Sequence, residues 1–324
     1  MRVADEVDRL ASSEEPSVRY LVRRDVLGED PTSRGMMQRA AAVRSSPRVA
    51  ALIEGHARAG APTYGKWRGA HWVLLHLAAL GHPGGDPRVA ELVDEVLSYW
   101  TAPRFMEDRA VTPSTTPKGF VPVIDGKARR CGSQQGGALL SAVRLGFGGD
   151  PRVGVLADRL RGWQWPDGGW NCDRRAAARM SSVNETLLPL RGLAAAQRHP
   201  ESVASACEVL LERRVVYRRA REEPIHPSVL QLHHPVYWHY DLLAGLVGLV
   251  EAGRIDDPRC DDALDLLASY RLPEGGWPAH AKWYRTHGEG AGVDLVSWGP
   301  TGGTRPNEWV TLQAVRVLRA AGRG

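Results

Sequence analysis

Gln164-Trp165-Pro166-Asp167-Gly168-Gly169-Trp170 reads Q-x-x-x-G-x-W, and a near copy, Arg271-Leu272-Pro273-Glu274-Gly275-Gly276-Trp277, follows 107 residues later. Each comes after an apolar, helix-like run, Val153 to Leu160 in the first case and Ala263 to Leu267 in the second. A Pro-acid-Gly-Gly turn between such runs punctuates helices. Its recurrence points to repeated helix pairs.

A second recurring element supports the first. An apolar helix ends in Gly, a short turn follows, and Asp-Pro opens the next helix, as in LAALGHPGGDPRVAELVDEVL with Asp86, AVRLGFGGDPRVGVLADRL with Asp150 and LVEAGRIDDPRCDDALDLL with Asp257. Weaker copies lie at Asp30 and Pro200. Gly closes a helix in the left-handed conformation, Asp caps the next one, and Pro fills its first position, where the missing N–H is harmless. The marks at 30, 86, 150, 200 and 257 are 50 to 64 residues apart, and the last helix ends 65 residues further on. This spacing predicts five helical hairpins and an incomplete sixth. The expected fold is all-α, a single (α/α)6 barrel or toroid over residues 1–324, because an open solenoid would need polar end caps. The strand signal is confined to Gly119–Asp125.

The helix before each Gly-Asp-Pro turn is then inner and the one after it outer. The inner helices begin in GKWRGAHWVLLHLAALG, RRCGSQQGGALLSAVRLG, SSVNETLLPLRGLAAA, HHPVYWHYDLLAGLVGLVEAG and RPNEWVTLQAVRVLRAAG, each polar first and apolar later. That gradient predicts a chamber with an apolar floor and a polar mouth, where convergent polar groups mark a site. Fourteen residues before their closing glycines lie Trp67, Gly132, His239 and Glu308. The mouth is therefore expected to carry Trp67, Arg68, Cys131, Glu185, His239 and Glu308, overhung by Cys172 and Asp173 from the loop after the first Q-x-x-x-G-x-W turn.

Composition narrows the function classes. The net charge of +5 comes from arginines spread along the chain, which reads as solvated helix faces and not as a nucleic-acid surface. No apolar run is long enough to cross a membrane, and the first residues (MRVADEVDRLASSEEP) lack the apolar stretch of a signal peptide, so a cytoplasmic location is expected. The four cysteines (Cys131, Cys172, Cys207, Cys260) form no C-x-x-C pair and are expected to be reduced. Cys207 reads as a small core residue, while Cys260 has no evident role.

The Q-x-x-x-G-x-W pattern resembles the QW motif of the terpenoid cyclase and protein prenyltransferase superfamily. The resemblance implies a single-domain member that binds a mostly apolar small molecule, of isoprenoid type for instance, in the barrel. Class II terpenoid cyclases protonate their substrate with a D-x-D-D motif, which this chain lacks, so that acid is missing. A D-D-x-x-D run, Asp261-Asp262-Ala263-Leu264-Asp265, falls by repeat register at the start of an outer helix, where acidic residues suit the helix dipole and solvent. Protein prenyltransferase β subunits hold zinc with an Asp, a Cys two residues later and a distant His. Here Asn171-Cys172-Asp173 keeps the Cys and Asp in another order, and His233, His234 and His239 follow. A tetrahedral zinc set of Cys172, Asp173, Cys131 and either His234 or His239 is one expectation.

The segment His233-His234-Pro235-Val236-Tyr237-Trp238-His239-Tyr240-Asp241 is the densest chemical stretch, with Pro235 expected to start a helix capped by His234. His239, Asp241, Glu185 and Glu308 are the candidate acid–base residues. Trp67, Arg68, His71, Trp238, Tyr240 and Trp283 are the candidate substrate contacts. Two loops, within residues 101–130 and 278–306, are expected to close over the mouth; the second offers Lys282, Trp283, Tyr284 and Arg285 to an anionic or conjugated substrate. Three readings stand together: a terpenoid cyclase-like or prenyltransferase-like enzyme, a zinc-dependent transferase or lyase using Cys172 and a His, and a toroid that only binds a small molecule or a protein. Glycoside hydrolases and lyases built on the same barrel are a further class. Nothing in the sequence indicates an oligomeric state.

Overall fold

The Asp-Pro marks become helix starts in the computed structural model, which describes residues 3–110, 120–288 and 290–324. The carboxylates of Asp86, Asp150 and Asp257 accept the backbone N–H of Arg88, Arg152 and Arg259 at 2.9–3.0 Å. The same arginines fold their guanidinium groups back onto those aspartates. Each cap is therefore a closed Asp-Pro-Arg unit, of which sequence reasoning had only the Asp-Pro half. Asp30 caps no helix; Ser33 does so instead. Gly81, Gly253 and Gly322 close their helices at φ of 69°, 67° and 69°.

The described residues are mostly helical. In order they form α1 (Val3–Ala11), α2 (Pro16–Asp25), α3 (Arg34–Arg44), α4 (Pro47–Ala59), α5 (Ala70–Ala79), α6 (Pro87–Trp100) and the short α7 (Pro103–Met106). Three brief strands follow, β1 (Asp108–Ala110), β2 (Val121–Ile124) and β3 (Lys127–Ala128), then α8 (Gly132–Ala142), which widens into a π turn over Val143–Phe147. The rest are α9 (Pro151–Trp163), α10 (Val183–Ala195), α11 (Pro200–Leu211), α12 (Leu242–Glu251), α13 (Asp261–Ser269) and α14 (Glu308–Ala320). β2 pairs parallel to β1 and antiparallel to β3. The expected strand at Gly119–Asp125 is thus β2, one of three. Part of the loop expected within residues 101–130 lies outside the described residues.

Helix α5 packs on α8, α8 on α10, α10 on α12, α12 on α14, and α14 on α2. Gly81, just past α5, lies against Tyr20 and Leu21 of α2. On the outside, α6 lies on α5, α9 on α8, α11 on α10 and α13 on α12. Burial follows this order. Every described residue of α12 from Leu242 to Leu249 is buried, as is nearly all of α8, whereas α6 and α13 bury one face.

Helices α8 and α10 approach closely through glycines. A Cβ on Gly136 would stand 2.3 Å from the backbone nitrogen of Pro189, and one on Gly132 would stand 3.0 Å from the carbonyl oxygen of Glu185. Pro189 sits inside α10 with no N–H to offer, so the neighbouring backbone can lie directly against it.

The two Q-x-x-x-G-x-W turns are built alike. Trp165 N–H donates to Gly169 O and Leu272 N–H to Gly276 O, at 2.8 and 2.9 Å. The indoles of Trp170 and Trp277 reach back ten residues to the carbonyls of Leu160 and Leu267, at 2.8 and 2.7 Å. Both indoles are at most 1% exposed. Gly168 (φ 96°) presses on Ser205 O, where a Cβ would come within 2.2 Å, so only glycine fits that turn.

The D-D-x-x-D run faces solvent on α13. Asp261 and Asp265 pair with Arg323, and Asp262 pairs with Arg214 at 2.8 Å.

Candidate functional site

The glycine contact between α8 and α10 brings three ligating groups together. Cys131 precedes α8, Glu185 stands in the first turn of α10, and Cys172 comes from the loop after the first tryptophan turn. Their sulfur and oxygen atoms all lie within 4.8 Å of one another. The Cys172 thiol donates to Glu185 Oε1 at 3.4 Å. The other oxygen, Oε2, accepts from the backbone N–H and the hydroxyl of Ser133, at 3.0 and 2.7 Å, which fixes the carboxylate. The hydrogen bond with Cys131, burial and the neighbouring Glu185 all push the Cys172 thiol up. Both cysteines remain partly exposed.

Two further groups face this cluster. Tyr64 is held protonated, chiefly by burial, and hydrogen-bonds Gln134. The Arg130 guanidinium, lowered by burial, feels Cys131, Glu185, Tyr64 and Cys172, donates to Gln135 Oε1 at 3.0 Å and keeps Nη2 without a partner. Sequence reasoning named Cys131, Cys172 and Glu185 but placed the carboxylate among acid–base residues, and it missed Tyr64, Arg130 and Ser133. The signal for Ser133 was its place beside Cys131 at a helix start; Tyr64 gave none.

The other expected zinc ligands lie elsewhere. The Asp173 side chain is clasped by Arg175 at 2.5 Å, which holds its carboxyl down to about 2. His234 is stacked on Trp309, their rings 5.5 Å apart and 6° from parallel.

The aromatic segment is a plug and not a helix start. Helix α12 begins at Leu242, and its cap is Asp241, whose carboxylate accepts from Ala244 N–H and from both His233 N–H and His233 Nδ1. Asp241 is fully buried, so the helix expected from Pro235 gives way to an irregular strap held by that buried carboxylate. Trp67, itself left-handed at φ 68°, stacks on Tyr237 with centroids 3.5 Å apart and lies near Trp238 and His239. Trp283 stacks on His239 at 3.9 Å and on His233 at 4.6 Å. Burial lowers His239 to about 4. Arg68 donates to the carbonyls of Val293 and Gly290 in the 278–306 loop, and Tyr240 donates to Val215 O at 2.7 Å. His71 accepts from Trp100 Nε1 at 3.1 Å, is lowered by burial to about 3, and leaves Nε2 unpartnered. Glu308 is exposed beside Glu14, Glu15 and Arg48, away from the thiols.

Beneath the strap lies a central cavity of about 130 Å³ lined by α5, α8, α10, α12 and α14, among them Leu75, Leu140, Leu188 and Val247. It leads toward the C-terminal ends of these helices, into a second compartment of about 280 Å³. Those ends were expected to be apolar. They carry Arg24, Arg144, Arg191 and Arg316 instead. The apolar end read from the sequence is therefore corrected: arginines line it, while the N-terminal end carries both the aromatic strap and the thiol–carboxylate cluster.

No family model, curated protein or solved structure matches this chain. Among the described residues no helix is long and apolar enough to cross a membrane.

Proposed function

We propose that the chain is an enzyme on an (α/α)6 toroid, of the terpenoid cyclase and prenyltransferase type in scaffold, and that its reaction centre is Cys131, Cys172 and Glu185 around a zinc-like divalent cation. The order of helix contacts, from α5 through α8, α10, α12 and α14 back to α2, supports the toroid. The observation that carries the function is the meeting of two thiols and a carboxylate within 4.8 Å. Two sulfurs and one oxygen suit a borderline-soft ion, and three protein ligands leave a fourth position for substrate.

Bound there, such an ion supplies Lewis acidity to a substrate thiol, hydroxyl or carbonyl oxygen. The protein's own groups do the rest. Ser133 orients the Glu185 carboxylate, so the ligand set is held before substrate arrives. Tyr64, kept protonated by its burial, is the proton donor beside the centre. Arg130 receives negative charge on the substrate with its free Nη2. Leu188, one turn beyond Glu185 on α10, lines the central cavity, which offers a place for an apolar portion of the substrate on the same helix. The cavity's volume of about 130 Å³ suits a ring or a branch of a few carbons. The reaction class is a metal-assisted transfer or elimination on a small, partly apolar molecule.

Metal analysis of the purified protein tests this. About one equivalent of zinc per chain is expected, and cobalt reconstitution should show thiolate-to-metal absorption lost in both Cys131→Ala and Cys172→Ala. A chain that takes up no metal on reconstitution would overturn the proposal. So would one whose cobalt spectrum survives both substitutions.

A further inference from the structure

The compartment at the C-terminal ends of the central helices carries more positive charge than its own carboxylates neutralise. Glu251, at the end of α12, is gripped by three arginines: Arg191 through Nε and Nη2 at 2.7 and 3.0 Å, Arg144 Nη2 at 2.6 Å, and Arg316 Nη1 at 3.2 Å. Arg24 forms a separate two-point pair with Asp25, at 2.6 and 3.0 Å. Four guanidinium groups against two carboxylates leave two positive charges facing a space of about 280 Å³. Charges taken out of bulk water are normally paired, because an unpaired one forfeits its solvation without recompense. Burial would raise the Glu251 carboxyl, yet the arginines outweigh it and hold it well below its ordinary range. Arg144 itself is lowered by burial despite its pair with Glu251.

The neighbouring central cavity is apolar but holds idle polar atoms. His76 is 3% exposed and has no hydrogen bond at either ring nitrogen, and His234 Nε2 has none either. Burial keeps both imidazoles neutral. Buried polar atoms without partners are rare enough that each needs a reason. His234, Trp309, Gln313, Arg144 and Arg191 line both compartments, so the two are continuous. A surface hollow that shares Asp25 and Arg316 and is bordered by Val26 and Arg319 adjoins the arginine side.

We infer that this passage is a binding site for a small phosphate monoester, with its phosphate among Arg144, Arg191 and Arg316 and its apolar group in the central cavity against Leu75, Leu188 and Val247. The charge selects the head group. A phosphomonoester carries about −1.5 to −2 at neutral pH, which matches the excess, whereas a carboxylate supplies half of that. The apolar compartment selects the tail. An engineered cavity of about 150 Å³ takes up benzene, so the space here suits a single ring or a tail of similar bulk. His76 and His234 offer neutral donors and acceptors to the ester oxygen or a ring substituent. The site shares the central cavity with the proposed substrate's apolar portion but stands on its own charges: it holds whether or not the thiol centre binds metal, and the two are read by separate measurements.

Calorimetric titration of the full chain with phenyl phosphate, inorganic phosphate and benzoate tests the assignment. Phenyl phosphate should bind saturably, and the other two at least about tenfold more weakly. Arg144→Gln should weaken phenyl phosphate by about tenfold or more, since one charge-assisted contact is lost while Arg191 and Arg316 still hold Glu251. Arg175→Gln, on a distant exposed arginine, should leave it unchanged. As a measurement free of substitutions, phenyl phosphate should protect Arg144 and Arg316 of the wild-type chain from phenylglyoxal modification, read by peptide mass mapping. Absence of saturable phenyl phosphate binding would overturn the assignment. Equal affinity for benzoate would overturn the dianion, equal affinity for inorganic phosphate the apolar subsite, and modification of both arginines undiminished by the ligand the location.

Discussion

The two tryptophan turns share one backbone plan and part company immediately after it. In both, a Thr hydroxyl one helix onward accepts from the tryptophan's backbone N–H, Thr186 for Trp170 at 3.3 Å and Thr311 for Trp277 at 2.9 Å. In both, the indole is tied ten residues back. The opening residue differs: Gln164 joins its own turn to Ser202 O, whereas Arg271 reaches across the chain to the buried Glu6. Two residues past the tryptophan, the first copy has Cys172 and the second Ala279, which is 2% exposed. The common part is a staple between helices, and only the first copy carries a thiol, at the position where a neighbouring helix presents Glu185.

Substitutions at matched positions separate the staple from the chemistry. Trp170→Ala and Trp277→Ala should both cost about 3–5 kcal/mol, because each removes a fully buried indole with its hydrogen bond. Denaturant melts that differ widely between the two would break the equivalence. Arg271→Ala should cost about 2–3 kcal/mol, less than a fully buried pair because the arginine is partly exposed, since the buried Glu6 loses a bidentate cation and is left with the Gly276 N–H at 3.0 Å and Arg9 at 3.7 Å among its described partners. Gln164→Ala loses two neutral hydrogen bonds and should cost about 1–2 kcal/mol. An equal loss in the two would mean that the Glu6 contact adds nothing. Thr186→Val and Thr311→Val should each lose about 0.5–1.5 kcal/mol, measured by the same melts. Smallest is Cys172→Ala in the metal-free protein, at about 1 kcal/mol or less in a thermal melt, because the thiol is partly exposed and its bonds, to Glu185 and Cys131, are weak sulfur ones. A larger loss there would make Cys172 part of the staple.

Local rules were legible in the sequence to different depths. The Asp-Pro starts and Gly stops were readable because capping is decided within a few residues, and α6, α9 and α11 begin where those marks placed them. The start of α12 was not, since Asp241 caps it through contacts with His233 that only the folded strap creates. The arginines Arg24, Arg144, Arg191 and Arg316 stood in plain view near the ends of four apolar runs and were read as solvated faces. The convergence of the last three on Glu251, with Arg24 beside them on Asp25, depends on the rotation of each helix about its axis, which a linear pattern leaves open. Of the thiol–carboxylate cluster, Cys131 and Glu185 were placed on one ring with Cys172 overhanging it, but their mutual distance is a property of helix spacing.

That spacing is set at Gly136, where backbone meets backbone with no side chain between. Cys131 and Glu185 are thus held at a separation decided by two main chains, more like the arms of a rigid chelator than like flexible side chains searching for an ion. Gly136→Ala would act as a wedge, opening the bite of the chelate without touching a donor atom. Under the metal reading, such a variant should trade preference from zinc toward a larger thiophilic ion such as cadmium, so a residue with no chemistry of its own becomes the control on which ion the centre accepts.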